Sequence, residues 1–391
     1  MAYSKTIKIL FLLLYILSSS AYPAATNHDS LNKKIQHIVD ESRIKYKLPA
    51  LSVSIKLPNN KQILNYTSGN YSLSENKPIT SSTLFQIGSI TKTFTASIVF
   101  KLIEEGKFNI HDKVGKWLPH YPKWKNITIG DLLRHTSGVY NYSSGSDFDT
   151  LLRENPGKYW SLNELAALSY QHANLFLPGK KYHYTNTDYV LLGMIIEKAT
   201  HQSLQQVFDD YIKKYHLHNT FYSPSHYPSR IKNKIAHGYN RDGTFPFNKD
   251  VTFTSMSFTQ SAGAMISSPS DLITWLSALF SGKIITPQSL SYMTAILSEE
   301  NAEPINIDKI HPSDQSFNGQ SFIEIGAGSG IGLIYFKEIG LTWVHSGGTP
   351  GYESFYAYNP RKKIFLALAY NVKPKQQLIF IHIANKIFAA L

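Results

Sequence analysis

Phe85-Gln86-Ile87-Gly88-Ser89-Ile90-Thr91-Lys92-Thr93-Phe94 is the stretch from which the rest of the chain is best read. An apolar lead-in meets a glycine and a serine, and an apolar helix follows through Phe94, Ile98, Leu102 and Ile103. Gly106 stands where a left-handed C′ residue would end that helix. A helix puts Ser89 and Lys92 on one face, one turn apart. Unpaired N–H groups and the positive end of the helix dipole then lie beside the hydroxyl. A serine needs a nearby base to give up its proton, and a desolvated, unprotonated lysine can serve. The S-x-x-K spacing alone is weak, because Ser30, Ser42, Ser74 and Ser229 also have Lys three residues on. Context separates Ser89 from them: it follows Gly88 at the start of an apolar helix. The plainer reading is a capping serine with a surface lysine.

Outward from this stretch, Ser30 is suited to cap a helix bearing Leu31, Ile35, Ile38 and Val39 on one face. Residues 48–56 read as a strand and 62–67 as its return. The middle, from about 112 to 280, reads as short helices and loops, with helices expected over 131–134, 163–170, 188–199 and 271–280. Strands return over 330–337, 341–345, 353–358 and 364–370, with Pro360-Arg361 turning the last pair. A final helix is expected from about Pro374 to Ala390. The order is helix, two strands, helical insert, strands, helix. It predicts an α+β fold in which terminal helices flank an antiparallel sheet beside a helical region. A doubly wound parallel sheet would alternate strand and helix throughout.

Two further triplets carry chemistry. Tyr184-Thr185-Asn186 is the single Y-x-N among 25 tyrosines. A phenol beside a lysine can relay a proton, and an Asn amide can hold a substrate carbonyl or amide. Its bland alternative is a loop aromatic with a turn asparagine. His345-Ser346-Gly347 is the single H-x-G, ending a strand and running into Gly348. A strand edge there can pair with a peptide-like substrate, and the glycines permit close backbone approach. Its bland alternative is a structural His at a strand end.

The chain has 391 residues, net charge +12, 15 His and no Cys. The missing cysteine excludes disulfides, a thiol nucleophile and Cys-ligated zinc. Among the basic residues 33 are Lys and 6 are Arg, scattered along the chain, which disfavours nucleic-acid binding. G-x-S-x-G is absent, as is a Gly-Lys followed by Ser or Thr, so neither an α/β-hydrolase elbow nor a P-loop is present. Gly326 to Gly332 is glycine-rich but out of register for a dinucleotide loop, and reads as a closely packed start to a strand. His216-Leu217-His218 reads as a surface pair, not a metal site.

Together the three motifs resemble the serine β-lactamase and penicillin-binding superfamily, nearest its class C β-lactamase and D-alanyl-D-alanine carboxypeptidase branch. Further segments carry the likeness: Leu132 to Gly138, Pro178-Gly179 with Tyr182 to Gly193, Ala262 to Leu272, and His345 to Tyr352. It covers the chain from about Ser30 to the C-terminus. The resemblance implies a β-lactamase/DD-peptidase fold as a single catalytic domain over 30–391. Its α/β part would span about 30–110 and 320–391, its all-helical part about 111–319, with the active site between them. It implies Ser89 as nucleophile, Lys92 as its base and Tyr184 as proton relay. Asn186, His345, Ser346, Gly347 and Gly348 would bind substrate, with an oxyanion hole at the N–H groups of Ser89 and Gly348. It implies an acyl-enzyme on a small molecule or peptidoglycan peptide, no metal or organic cofactor, no nucleic acid, and a monomer.

The function the resemblance implies first is a penicillin-binding carboxypeptidase of the D-alanyl-D-alanine type. A β-lactamase-fold esterase or peptidase, a class C-like β-lactamase, and a silent penicillin-binding module stand as alternatives. Two departures weigh here. His345 replaces a Lys, which implies a weaker positive charge titrating near neutral pH. No Arg lies between Gly326 and His345 to hold a terminal carboxylate, leaving Lys337 and Ser346 as candidates.

The first residues read as a secretory signal. Lys5 and Lys8 precede an apolar run, Ile9 to Leu17, and then Ser19 and Ala21 at signal-peptidase spacing. The run is too short for a stable membrane span. A mature periplasmic or secreted protein is expected, cleaved after Ala21, with Ala25 as the alternative. N-terminal sequencing of the exported protein should begin near Tyr22. A cytoplasmic species that keeps Met1 contradicts this.

Overall fold

The computed structural model describes residues 24–391 apart from Asn59, Lys61, His226, 312–316, 318 and 319, so the expected signal peptide lies outside the described residues. Helix α1 (Ala24–Lys45) leads into β1 (Ala50–Lys56) and β2 (Leu64–Gly69), then β3 (Phe85–Gln86), a 3-10 turn over Gly88–Ile90, and α2 (Thr91–Glu104). The middle carries α3 (Val114–Trp117), α4 (Ile129–Leu133), α5 (Ser146–Glu154), α6 (Leu162–Tyr170), α7 (Asn186–Thr200), α8 (Leu204–Lys214) and α9 (Ser229–Lys232), then α10 (Pro269–Phe280) and α11 (Pro287–Met293). Within it lie β4 (Thr220–Tyr222), β5 (Tyr239–Asn240), β6 (Lys249–Asp250) and β7 (Met265–Ser267). The end is β8 (Phe322–Ala327), β9 (Gly332–Phe336), β10 (Gly340–Thr349), β11 (Tyr352–Asn359), β12 (Ile364–Tyr370), β13 (Val372–Lys373) and α12 (Ile379–Ala390).

Seven strands form one sheet in the order β2-β1-β12-β11-β10-β9-β8, every pair antiparallel. The order explains the sequence. Strand β12, Ile-Phe-Leu-Ala-Leu-Ala-Tyr, is buried along its whole length because it has a strand on each side and helices on both faces. Edge strand β2 alternates exposed and buried positions instead. On one face α1 and α12 pack together and cover Val53, Phe355, Leu368 and Tyr370. Helix α10 covers β1 and β12 from the other face, and its Trp275 stacks on Phe94 of α2, centroids 4.1 Å apart. Helix α2 ends as expected: Gly106 has φ +70°, and the N–H groups of Gly106 and Lys107 bond the carbonyls of Ile103 and Leu102.

Three readings need correction. Ser30 lies inside α1, which starts at Ala24, so it caps nothing. The middle segment adds to its helices two small sheets, β3-β7-β4 and β13-β5-β6. Their strands in the middle segment are only two or three residues long, below what alternation can signal. Strand β8 was hidden by Gly326, whose Cβ position would fall 2.3 Å from the Leu297 carbonyl oxygen, so glycine there serves close packing.

The sheet meets the start of α2 backbone to backbone. An added Cβ at Gly347 would lie 1.9 Å from the Ile87 carbonyl oxygen. Gly347→Ala should therefore cost about 1–3 kcal/mol or more in denaturant titration, the range for overpacking. Gly157→Ala is the control, because no atom lies within 4 Å of its Cβ position. Equal stability of the two variants would show that β10 moves freely at this contact.

Candidate active site

Gly88 adopts φ +48°, a left-handed conformation that suits glycine, and turns the chain from β3 into α2. Its own Cβ position would fall 2.8 Å from the nitrogen and 2.7 Å from the oxygen of Gly348. Ser354 Oγ on β11 donates to the Ile87 carbonyl at 2.9 Å, tying the same turn to the sheet. Ser89 is thus presented between the 3-10 turn and β10, partly exposed, one turn before the fully buried Lys92.

Four of the sequence-selected side chains meet at this point. Lys92 Nζ lies 3.1 Å from Ser89 Oγ, 2.7 Å from Asn186 Oδ1 and 2.8 Å from the Ala262 carbonyl oxygen. Tyr184 donates its phenolic O–H to Ser89 Oγ at 2.7 Å. Burial holds the Lys92 amine well below the usual lysine range. A neutral amine has two N–H bonds and one lone pair. The N–H bonds match Asn186 and Ala262, and the lone pair matches the Ser89 hydroxyl proton. The hydrogen bonds then run in one direction, from Tyr184 to Ser89 to Lys92. Burial raises the Tyr184 phenol, partly offset by its bond to Ser89, so it is a proton-holding group at neutral pH.

Thr185 caps α7, its side chain accepting from the Thr187 N–H, and Asn186 is the first helical residue. Asn186 is fixed at both ends of its amide, because Nδ2 donates to Ser143 Oγ at 2.8 Å. Ser143 carried no sequence signal; only the fold brings its loop here.

His345 differs from expectation. Its Nδ1 lies 2.7 Å from the carbonyl oxygen of Ser346, which can only accept, so the ring proton is on Nδ1 and Nε2 is a bare lone pair. Burial pushes the imidazole down to about 4, and the bond to Ser346 only partly opposes this. His345 is therefore neutral across physiological pH, not a titrating cation near pH 6.5. Lys337 is exposed at the far end of β9 and does not line the cavity beside Tyr184 and His345. Strand β9 pairs with β10 only from Gly340 to Val344, so the outer edge of β10 from His345 through Gly348 has no strand partner among the described residues. That edge can take an extended acyl chain.

A cavity of about 300 Å³ opens beside Tyr184 and His345. His135 and Tyr182 line it further, with Glu299 and Glu324 toward solvent, and no lysine or arginine among the described residues does. Burial, followed by Glu324, raises the Glu299 carboxyl. The nearest cation to the β10 end is Lys373, whose Nζ would lie 2.9 Å from a Cβ at Gly348 and is paired with Glu353 Oε1 at 2.6 Å. Behind Tyr184 stands a buried pair with no assigned role in the motifs, His135 and Asp188. His135 lies in the Leu132 to Gly138 segment, the signal that could have marked it.

Comparison with known proteins bears on this geometry. The chain is similar to Protein flp of Staphylococcus aureus (strain MW2), 27% identical over 330 residues, and spans 80% of this chain but only 64% of that relative. Among solved structures it is similar to the D-amino acid amidase of Ochrobactrum anthropi SV3, with TM-score 0.77 and 24% identity over 92% of this chain and 98% of that one. It is also similar to a D-stereospecific amidohydrolase from Streptomyces sp., with TM-score 0.70 and 26% identity over 87% and 94% of the two chains. The family model Beta-lactamase matches residues 31–385, and with the Ser89, Lys92 and Tyr184 cluster in place the chain belongs to the Beta-lactamase family of serine hydrolases, within the serine β-lactamase and penicillin-binding superfamily.

Proposed function

We propose that the chain hydrolyses amides or esters of small acyl donors through an acyl-enzyme on Ser89, and that its leaving group is neutral or cationic. Ser89 Oγ attacks the carbonyl as its proton passes to Lys92, and the N–H groups of Ser89 and Gly348 receive the developing oxyanion. Tyr184 gives its proton to the leaving group and recovers one from Lys92. Asn186 and the free edge of β10 hold the acyl part. Water then attacks the ester, and the lone pair of His345 Nε2 or of Lys92 takes its proton. No step calls for a metal or organic cofactor.

The observation that carries the choice of leaving group is the charge of the cavity. A group that takes its proton from Tyr184 must lie beside Tyr184, so the cavity beyond that phenol is the leaving-group side. Neutral His345 and two carboxylates line it, with no lysine or arginine. A terminal carboxylate there would face like charge without a partner. The likeness to the D-stereospecific amidohydrolase supports the same substrate class. A D-alanyl-D-alanine carboxypeptidase is the second reading, favoured by Lys373 beside Gly348. We also propose that the chain works outside the cytoplasm, as its leader implies; no helix among the described residues is long and apolar enough to cross a membrane.

A fluorophosphonate probe should label the peptide containing Ser89, and Ser89→Ala should lose the adduct. Lys92→Ala and Tyr184→Phe should each slow turnover by about 100-fold or more, far from additively in the double variant. D-alaninamide should be turned over at least about 10-fold more efficiently than D-alanyl-D-alanine, a discrimination of the size one unpaired charge produces. The opposite order, lost in Lys373→Met, establishes the carboxypeptidase.

Because His345 titrates near 4, it stays neutral from pH 6 to 8. KM for a carboxylate substrate should therefore be flat over that window. A KM that rises from pH 6 to 8 and loses this slope in His345→Gln would make His345 a cation after all.

A further inference from the structure

We infer that His135 and Asp188 are a buried positioning pair that shares one proton, holds the segment carrying Tyr184, and presents no carboxylate charge to Lys92. The inference rests on the role of Tyr184 and Lys92 proposed above and deepens it.

His135 grips that segment at three consecutive residues. Its carbonyl accepts the His183 N–H at 2.9 Å, and its ring lies against Tyr184, centroids 4.7 Å apart. Its Nδ1 accepts the Thr185 N–H at 3.4 Å. To do this its own backbone takes φ +58°, left-handed and unfavourable for a side chain of this size. A conformation that costs of order 1–3 kcal/mol persists only where the surroundings enforce it. Here the left-handed turn after α4 aims both the carbonyl and the ring at residues 183 to 185.

The location of the shared proton follows from donors and acceptors. Asp188 is fully buried at the start of α7, and its Oδ1 accepts the Ser137 hydroxyl at 2.5 Å. Its Oδ2 faces His135 Nδ1 at 3.3 Å. The Thr185 N–H can only donate, so its 3.4 Å contact favours an unprotonated Nδ1, whose one lone pair it shares with Asp188. A hydrogen bond between Oδ2 and Nδ1 then needs its proton on the carboxyl. Burial acts the same way, raising the Asp188 carboxyl and lowering the His135 imidazole. The groups facing the pair are Lys92 from α2, Asp131 from α4, Tyr189 from α7, His345 from β10, and Tyr182, His183 and Tyr184 from the loop. An ionised Asp188 would hold Lys92 as an ammonium, which cannot take the serine proton. An uncharged acid leaves burial in control of the amine.

The test uses the mature chain, p-nitrophenyl acetate hydrolysis and the rate of fluorophosphonate labelling, each from pH 4 to 10. Activity rises as Lys92 deprotonates, so the acid limb reports Lys92. A carboxylate nearby would raise that limb, and its removal would shift it to lower pH. Asp188→Asn should leave the limb within about 0.3 pH units, because the replaced group was already uncharged. A shift of a full unit or more toward acid overturns the inference. His135→Phe keeps the ring but loses the acceptor, and should lower kcat by about 100-fold with little change in KM, the scale of an ångström-level misplacement. His135→Asn tolerates the left-handed backbone and restores an acceptor near Nδ1, so it should recover at least a tenth of wild-type kcat. Equal losses in the two His135 variants, or none in either, overturn the positioning role. If His135→Phe does not fold, the Asn variants carry the test. Wild-type protein that is never labelled at Ser89 would instead refute the proposed function.

Discussion

The contact of Gly88 with Gly347 and Gly348 is the constraint on which the site depends. Two backbones approach here more closely than a Cβ on Gly88 or Gly347 would allow, so each of those two glycines is required by the other's segment. Because β10 lies against the turn, the N–H of Ser89 and the N–H of Gly348 belong to one rigid unit. Ser354 extends that unit to the neighbouring strand by bonding both the Ile87 and Gly347 carbonyls. The position of Ser89 is thus set by the sheet, and the position of Lys92 by the helix that leaves the same turn.

From that geometry the electrostatics follow. Lys92 is fully buried against the rings of Tyr184 and Tyr189 and has three oxygen atoms within hydrogen-bond reach. No ionised carboxylate contacts it, so desolvation decides its state. A strongly hydrated ammonium would need compensation that the site does not provide. Burial also keeps His345 neutral and Tyr184 protonated, and the two carboxylates that line the cavity, Glu299 and Glu324, stand at its solvent side. The cleft is therefore a set of neutral proton carriers around an uncharged serine, which suits passing one proton from group to group.

The spacing of the candidate site was legible because local geometry fixes it: Ser89 and Lys92 one turn apart, Tyr184 and Asn186 at the head of a helix, glycines where a strand must pass a turn. Strands β10 to β12 were legible because their apolar runs and the turns between them are local. The charge of His345 was not, because its depression comes from burial, a product of tertiary structure. Ser143 was missed for the same reason, since its loop reaches the site only by folding back, whereas His135 stood within the Leu132 to Gly138 segment without its role being legible. The pairing of β1 with β12 could not be read at all; nothing local to Leu51 points to Tyr370, yet the two are cross-strand neighbours.

That pairing has a consequence for how the chain reaches its final form. The Ala50 N–H donates to Asn371 Oδ1 across 321 residues, and Lys34 Nζ reaches the Ala390 carbonyl. The first hairpin is open on its β1 side until β12 has been synthesised, so segments far apart in sequence close the sheet together. Such non-local closure makes folding slow and leaves strand edges exposed while it proceeds. A chain interrupted before β12 would hold Ser89, Lys92 and Tyr184 and still lack the strand that joins β1 to β11 and, through it, to β10. Loss of β12 would therefore undo the site as surely as loss of Ser89, and this late strand acts as the lock of the sheet.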